Sequence, residues 1–154
     1  MGCSVAFPFL TPGPMRDREL ALVLAGRSPS DPAHGLSPAY HFRLVVQRQK
    51  AGSLSLRIGR TPSLELYAGH IGYEVVPRFR GRHYAERACR LVLPLARLHG
   101  LDPLWITCDP DNLPSRRTCE RLGARLVEIV PVPPDSELYR QGERRKCRYR
   151  LDLG

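Results

Sequence analysis

Between Val75 and Ala85 the chain reads Val-Val-Pro-Arg-Phe-Arg-Gly-Arg-His-Tyr-Ala. This segment follows a β-like run, His70 to Val76, and opens a helical pattern, Tyr84 to Leu98. A strand that passes through a basic, glycine-containing turn into a helix N-terminus makes an anion site. Successive backbone N–H groups point into the turn, and the helix dipole adds partial positive charge. Arg78, Arg80 and Arg82 add full charges on forked donors suited to phosphate. The chemistry indicated is recognition of a pyrophosphate-bearing ligand. The turn is not a P-loop, because no Gly-Lys-Ser/Thr follows, and it lacks the Gly-x-Gly-x-x-Gly dinucleotide fingerprint. The plain alternative is an ordinary strand-to-helix turn with solvated arginines.

A second segment, Asn112 to Ala124, reads as a capped helix. Asn112 or Asp111 can cap it, Pro114 suits its first turn and Gly123 suits the left-handed position after its end. Ser115, Cys119 and Leu122 fall on one face.

The two segments together resemble the GNAT superfamily of acyl-CoA-dependent N-acyltransferases. Arg80-Gly81-Arg82-His83-Tyr84-Ala85 resembles the family's Arg/Gln-x-x-Gly-x-Gly/Ala loop, with His83 where the family usually has glycine. Asn112 to Ala124 resembles its Asn-x-x-Ser-x-x-x-Tyr-x-x-Leu-Gly-Phe segment, and the spacing from Asn112 to Gly123 matches. Here Cys119 replaces the tyrosine. The resemblance covers Tyr40 to Arg150 and leaves residues 1–38 unmatched.

The resemblance implies an α+β fold: a mixed, mostly antiparallel central sheet flanked by helices and splayed at an acyl-CoA site. It implies acetyl-CoA as co-substrate, without a metal, and acetyl transfer to a primary amine in a ternary complex. The acceptor is a small molecule or a protein N-terminus. In this reading Val75 and Val76 face the thioester, and a backbone N–H there is the oxyanion donor. Arg80, Gly81, Arg82, His83, Tyr84 and Ala85 hold the pyrophosphate. Asn112 and Ser115 border the pantetheine arm. Cys119 stands at the position of the general acid, either as proton donor or as a space-filling residue. His70 and Glu74, four residues apart on one strand, are the base candidates; the plain alternative for His70 is a hydrogen-bonded, half-buried histidine. Tyr67, Tyr139 and Tyr149 are further proton-donor candidates, Tyr149 reading more as core. A non-catalytic acyl-CoA-binding or sensing module of the same fold is the alternative function. A homodimer is compatible with the family, but no interface can be read from the residues.

Composition sets the remaining bounds. A chain of 154 residues is long enough for one domain with its own core, residues 1–154. No apolar run reaches membrane-helix length, and Phe7 to Leu10 is too short for a signal peptide. Ala6 spoils the lipidation pattern that Met1-Gly2-Cys3 begins. Cytoplasmic residence is the expectation. The net charge of +9 invites nucleic acid as a partner. Of the 24 basic residues, however, only Lys50 and Lys146 are lysine, and the arginines are scattered among acids. We therefore expect neither a nucleic-acid nor a membrane partner. Cys3, Cys89, Cys108, Cys119 and Cys147 lack metal-site spacing and read as reduced thiols, with Cys89 and Cys147 in the core.

The elements that must position the site follow from periodicity. Asp17 to Ala25 is expected to form a short helix capped by Asp17, with Leu20, Val23 and Leu24 as its stripe. Strands are expected at Tyr40 to Gln47, Ser53 to Ile58 and Tyr67 to Val76, in an antiparallel meander. The first helix should bury Tyr84, Ala88, Leu91, Leu95 and Leu98. Further strands are expected at Leu104 to Thr107, Ala124 to Val132 and Lys146 to Leu151. The last of these should turn Cys147, Tyr149 and Leu151 inward and leave Lys146, Arg148 and Arg150 solvated.

Overall fold

The computed structural model describes residues 6–154; the Met1-Gly2-Cys3 start lies outside the described residues. Five strands form an antiparallel sheet in chain order: β1 (Arg16–Asp17), β2 (Leu20–Ser28), β3 (Ala39–Val46), β4 (Gln49–Arg57) and β5 (Ile71–Val75). Helix α1 (Tyr84–Leu98) follows, then β6 (Leu104–Cys108), α2 (Leu113–Arg121), β7 (Arg125–Pro131), the short α3 (Glu137–Arg140) and β8 (Arg145–Leu151). Strands β6, β8 and β7 form a second antiparallel sheet, with β8 in the middle. The architecture is α+β, as expected.

The expected helix from Asp17 to Ala25 is instead the β1–β2 hairpin. Two periods compete in that segment. Leu20, Val23 and Leu24 suit a helix, whereas Leu20, Leu22 and Leu24 suit a strand. The strand reading pairs with β3, burying Leu20 and Leu22 and leaving Val23 47% exposed. Asp17 caps nothing; it accepts from the Arg87 guanidinium at 2.6 Å. The expected strand from Tyr67 to Val76 is shorter than predicted. Leu64–Ala68 coils as a π-helical turn, which Gly69 ends at φ 76°. The strand then runs only from Ile71 to Val75.

The core lies between the larger sheet and α1, and it continues under α2 onto β6 and β8. Tyr84, Ala88 and Leu95 of the expected α1 stripe are buried. Leu91 is half-buried and Leu98 is 73% exposed. Cys89, Val92 and Ala96 complete the buried face, which is rotated from the expected one. Arg148 is also not solvated. Its guanidinium lies 4.0 Å from the Trp105 ring centroid, pairs with Glu128 at 2.6 Å and donates to Glu65 O at 3.2 Å. The planar guanidinium stacks on the indole while its edge keeps two polar partners.

The two sheets meet at His70. Its backbone N–H donates to Trp105 O at 2.7 Å, and Trp105 N–H donates to His70 Nδ1 at 2.9 Å. His70 Nε2 bonds Gly59 O at 2.8 Å. Because Nδ1 accepts, Nε2 carries the proton and the ring is neutral. The side chain is fully buried, and burial pushes its pKa below the ordinary histidine value. The unfolded chain therefore takes up a proton near pH 6.5 that the folded ring resists. This contribution to stability is complete above that pH and is lost as pH falls towards the lower folded value. His70→Ala should lower unfolding stability by about 2–4 kcal/mol, because it orphans a buried carbonyl and a buried amide. In urea titrations at several pH values, the variant should lose stability less steeply below pH 6.5 than the parent. An unchanged slope would show that His70 does not supply the acid sensitivity.

Candidate active site

The turn after β5 packs as a short 3-10 segment, Pro77–Phe79, followed by Arg80 to His83 and the first turn of α1. Arg80 Nε donates to Val75 O at 3.0 Å, which ties the turn back to the strand end. Gly81 has φ 85° and His83 has φ 60°, ψ 25°. His83 thus adopts the left-handed conformation natural to the glycine it replaces, and histidine tolerates that conformation better than a β-branched residue. The first intrahelical bond runs from Arg87 N–H to His83 O at 3.0 Å. Among the described residues, no protein acceptor receives the N–H groups of Gly81, Arg82, His83, Tyr84, Ala85 and Glu86. They form an unsatisfied amide cradle at the positive end of α1.

This cradle opens onto a cleft of about 620 Å³ between α1 and α2. Val75, Arg80, Gly81, His83, Tyr84, Ala85, Asn112 and Ser115 all line it, and so does Glu74. Val76 and Arg82 do not line it. On the α2 side, Asn112 Oδ1 accepts from Ser115 N–H at 3.3 Å, so it is the helix cap. Pro114 occupies the first turn and Gly123, φ 89°, follows the helix end. Arg117 and Arg121 add charge to the same wall.

Strand β5 is the last strand of its sheet, so one edge is free. Val76 N–H donates to Ala51 O at 2.8 Å. That amide is committed to β4 and is unavailable as an oxyanion donor. Bonded and non-bonded pairs alternate along an antiparallel ladder. The neighbouring Val75, opposite Gly52, therefore turns its N–H to the free edge. Gly52 is required there: a Cβ would stand 2.2 Å from Glu74 O. Tyr73 and Val75 point to the helix side, and Glu74, between them, points to the opposite face and is exposed.

Two expected catalytic residues are elsewhere. His70 is the buried junction described above, with both ring nitrogens engaged, so it cannot serve as a base at the cleft. Cys119 is fully buried and does not line the cleft. Its thiol is held well above its ordinary range, chiefly because it donates to Cys108 and then by burial, so it is no proton donor to a ligand. Cys89, Cys108 and Cys147 are likewise buried, as the core reading of Cys89 and Cys147 requires. Tyr149 is buried and accepts from Arg116 Nε at 3.0 Å, a core role.

The cleft instead holds a hydroxyl pair. Tyr73 Oη and Ser115 Oγ are 2.7 Å apart, and both line the cleft. Burial raises the Tyr73 phenol above its ordinary value, so it stays protonated throughout the working pH range. The reading from sequence missed Tyr73. Its signal was strand alternation, which sets it on the same face as Val75, two residues on.

The profile of the acetyltransferase (GNAT) domain matches residues 9–125, well over half the chain. The chain belongs to the GNAT acetyltransferase family. No curated protein matches the sequence. Solved GNAT structures share the fold at low identity. The microcin C7 self-immunity acetyltransferase MccE, in complex with acetyl-CoA and AMP, aligns with TM-score 0.59 and 20% identity over 74% of this chain and 61% of that one. The ribosomal-protein-S5-alanine acetyltransferase from Vibrio fischeri gives TM-score 0.59 and 20% identity over 75% and 62%. The ribosomal L7/L12 α-N-protein acetyltransferase RimL in complex with coenzyme A gives 0.58 and 19% over 75% and 64%. The chain thus spans less than two thirds of the length of these three GNAT structures.

The left-handed His83 separates this GNAT cradle from the usual glycine form. His83→Gly should leave stability within about 0.5 kcal/mol, because relief of strain offsets the added freedom of the unfolded chain. His83→Val should cost about 1–3 kcal/mol at the same backbone position. Chemical denaturation of the pair checks this, and equal stabilities would mean that residue 83 does not hold φ near 60°.

Proposed function

We propose that this GNAT protein is an N-acetyltransferase that moves an acetyl group from acetyl-CoA to a primary amine, by direct transfer with both substrates bound. The observation that carries this reading is the amide cradle from Gly81 to Glu86, opening onto a cleft that reaches the free edge of β5. Acetyl-CoA and coenzyme A are the ligands named for MccE and RimL, and ribosomal proteins are the acceptors named for two of the relatives.

Acetyl-CoA supplies a thioester when bound. The chain's own residues then divide the work by position. The cradle and Arg80 bind the pyrophosphate. The free-edge N–H of Val75 polarises the carbonyl and holds the negative charge that develops on its oxygen. Glu74, on the opposite face of the same strand, takes the proton of the incoming amine directly or through a water. The Tyr73 and Ser115 hydroxyls give a hydrogen bond and then a proton to the departing sulfur, the role that Cys119 is too buried to fill. A carboxylate base suits an α-amino group, pKa about 7.7–8.0, better than a lysine at about 10.4. This favours a protein N-terminus or amino acid among the acceptors. The rival, a module that binds acyl-CoA without transfer, is motivated by the loss of the tyrosine at Cys119.

Thermal-shift titration tests binding first: acetyl-CoA at 100 times its Kd should add about 2.7 kcal/mol of stability, and no shift in a folded sample would end the proposal. Thiol release across an amine panel then separates the two readings, since saturable release with any amine rejects the sensing module. Tyr73→Phe and Glu74→Gln should each lower kcat by about 10²-fold while leaving acetyl-CoA affinity near that of the parent. Full turnover in either variant would remove that residue from the scheme.

A further inference from the structure

The five-stranded sheet has two unlike faces. Its core face carries Leu20, Tyr40, Phe42, Leu44, Leu54 and Leu56, all at most 2% exposed. The opposite face is left to solvent: Val23 is 47% exposed, and Arg43, Lys50 and Glu74 are exposed. On that face Val23, Arg43, Ser53 and Glu74 stand directly across from one another in register, one from each of β2 to β5. The row ends at β5 beside the free-edge N–H of Val75. A parallel row holds His41, clamped by Ser28 Oγ at 2.5 Å and Ser55 Oγ at 3.0 Å, followed by Gly72. The Arg57 guanidinium lies across Gly72, where a Cβ would meet Nη2 at 2.9 Å.

The charge along this face is one-sided. Glu74 is the only acidic residue in β2 to β5, while Arg43, Lys50 and Arg57 lie on the same face; Arg27, opposite the buried Tyr40, falls on the core side. Arg43 and Lys50 have no ion-pair partner among the described residues. The acids of the neighbouring hairpin, Asp17 and Glu19, are both paired with Arg87 at 2.6 Å, and Asp17 also with Arg18 at 3.6 Å. A ligand complementary to this face carries one ammonium at the β5 end and negative charge behind it, over β3 and β4. The span from β5 to β2 is three inter-strand steps, about 14 Å, or about four extended residues.

We infer that the acceptor is the N-terminus of an acidic polypeptide, laid across the solvent face of β2 to β5 with its α-amino group at Glu74 and its acidic side chains over Arg43 and Lys50. This rests on the acetyl-transfer reading and adds the acceptor class to it. An open track with distributed charge suits an extended chain, whereas a small amine would draw on Glu74 alone. Encounter is steered by the same field, so acceptor KM depends on ionic strength.

The test uses the whole chain, acetyl-CoA, and short peptides with free N-termini whose second to fifth residues are acidic, neutral or basic. Thiol release should give the acidic peptides a KM about tenfold below that of the basic ones. Arg43→Glu, and separately Lys50→Glu, should shrink or reverse that order while acetyl-CoA affinity, read by thermal shift, stays unchanged. Equal KM across the three peptide classes, or a preference untouched by both variants, overturns the inference. So does acetylation of small amines with none of the peptides, and in each of these cases the transfer reading stands. Failure of the parent to bind acetyl-CoA overturns the transfer reading instead, and this one with it.

Discussion

The candidate site depends on one contact, the pair of hydrogen bonds between His70 and Trp105. It fixes two separate sheets at a single point. Beyond that point β5 pairs with β4 on one side only, and β6 pairs with β8. Had β5 and β6 zipped together along their length, the Val75 amide would be spent in a ladder and no cleft would open between the turns that follow them. The junction is reinforced by Thr107 Oγ1 donating to Tyr67 O at 2.7 Å, and by the close approach of Gly69, where a Cβ would stand 3.0 Å from Thr107 N. A histidine suits this position because its neutral ring accepts on one side and donates on the other. It can therefore satisfy an amide of one sheet and a loop carbonyl beside the other. The same fact disqualifies it as a base, since protonation at Nδ1 would eject the Trp105 amide.

The formal charge of +9 is not spread as a uniform field. Arg87 is bound by Asp17, Glu19 and a backbone carbonyl; Arg148 by Trp105, Glu128 and Glu65 O; Arg60 by Glu65 and two carbonyls. These arginines act as struts between elements, and their forked donors suit that work better than lysine would. Other cations carry no ion pair among the described residues, including Arg80 and Arg117 at the cleft, Arg43 and Lys50 on the open sheet face, and the exposed Arg125 and Arg145 on the second sheet.

The legible parts of this chain were those where a single local signal acted alone. Helix α1 begins at Tyr84 and ends at Leu98 as read, because a left-handed turn precedes it and Gly100 follows it, although its buried face is rotated from the expected one. The cradle and the Asn112 cap were legible for the same reason, since backbone amides and cap geometry are set within a few residues. The hairpin at Asp17 was not legible, because Leu20 to Leu24 satisfies both periods and only the partner strand β3 decides between them. Arg148 looked solvated because its alternation is correct; the indole and the π-helical turn that cover its face come from far along the chain. His70 and Glu74 were read as one face. Chain spacing alone could not show that the first of them is consumed in joining two sheets.

The two departures from the family pattern are resolved by different means. At His83 the backbone keeps the glycine conformation and the side chain bears the strain, so the amide cradle survives intact. At Cys119 the side chain is enclosed instead. The thiol withdraws into a packed cluster with Cys108, and a hydroxyl from the opposite wall, Tyr73, reaches across to Ser115. Strand β5 and helix α2 form the two walls of the cleft. A phenol on the strand covers the same ground as one on the helix, and strand alternation aims it there as soon as Val75 is aimed there. One register, Gly52 opposite Val75, therefore sets three groups at once: the free amide at the edge, the phenol on the helix side and the carboxylate on the open face. A slip of one residue in that pairing would exchange Tyr73 with Glu74 and return the amide to the ladder. Gly52 permits the observed register, since a Cβ there would stand 2.2 Å from Glu74 O.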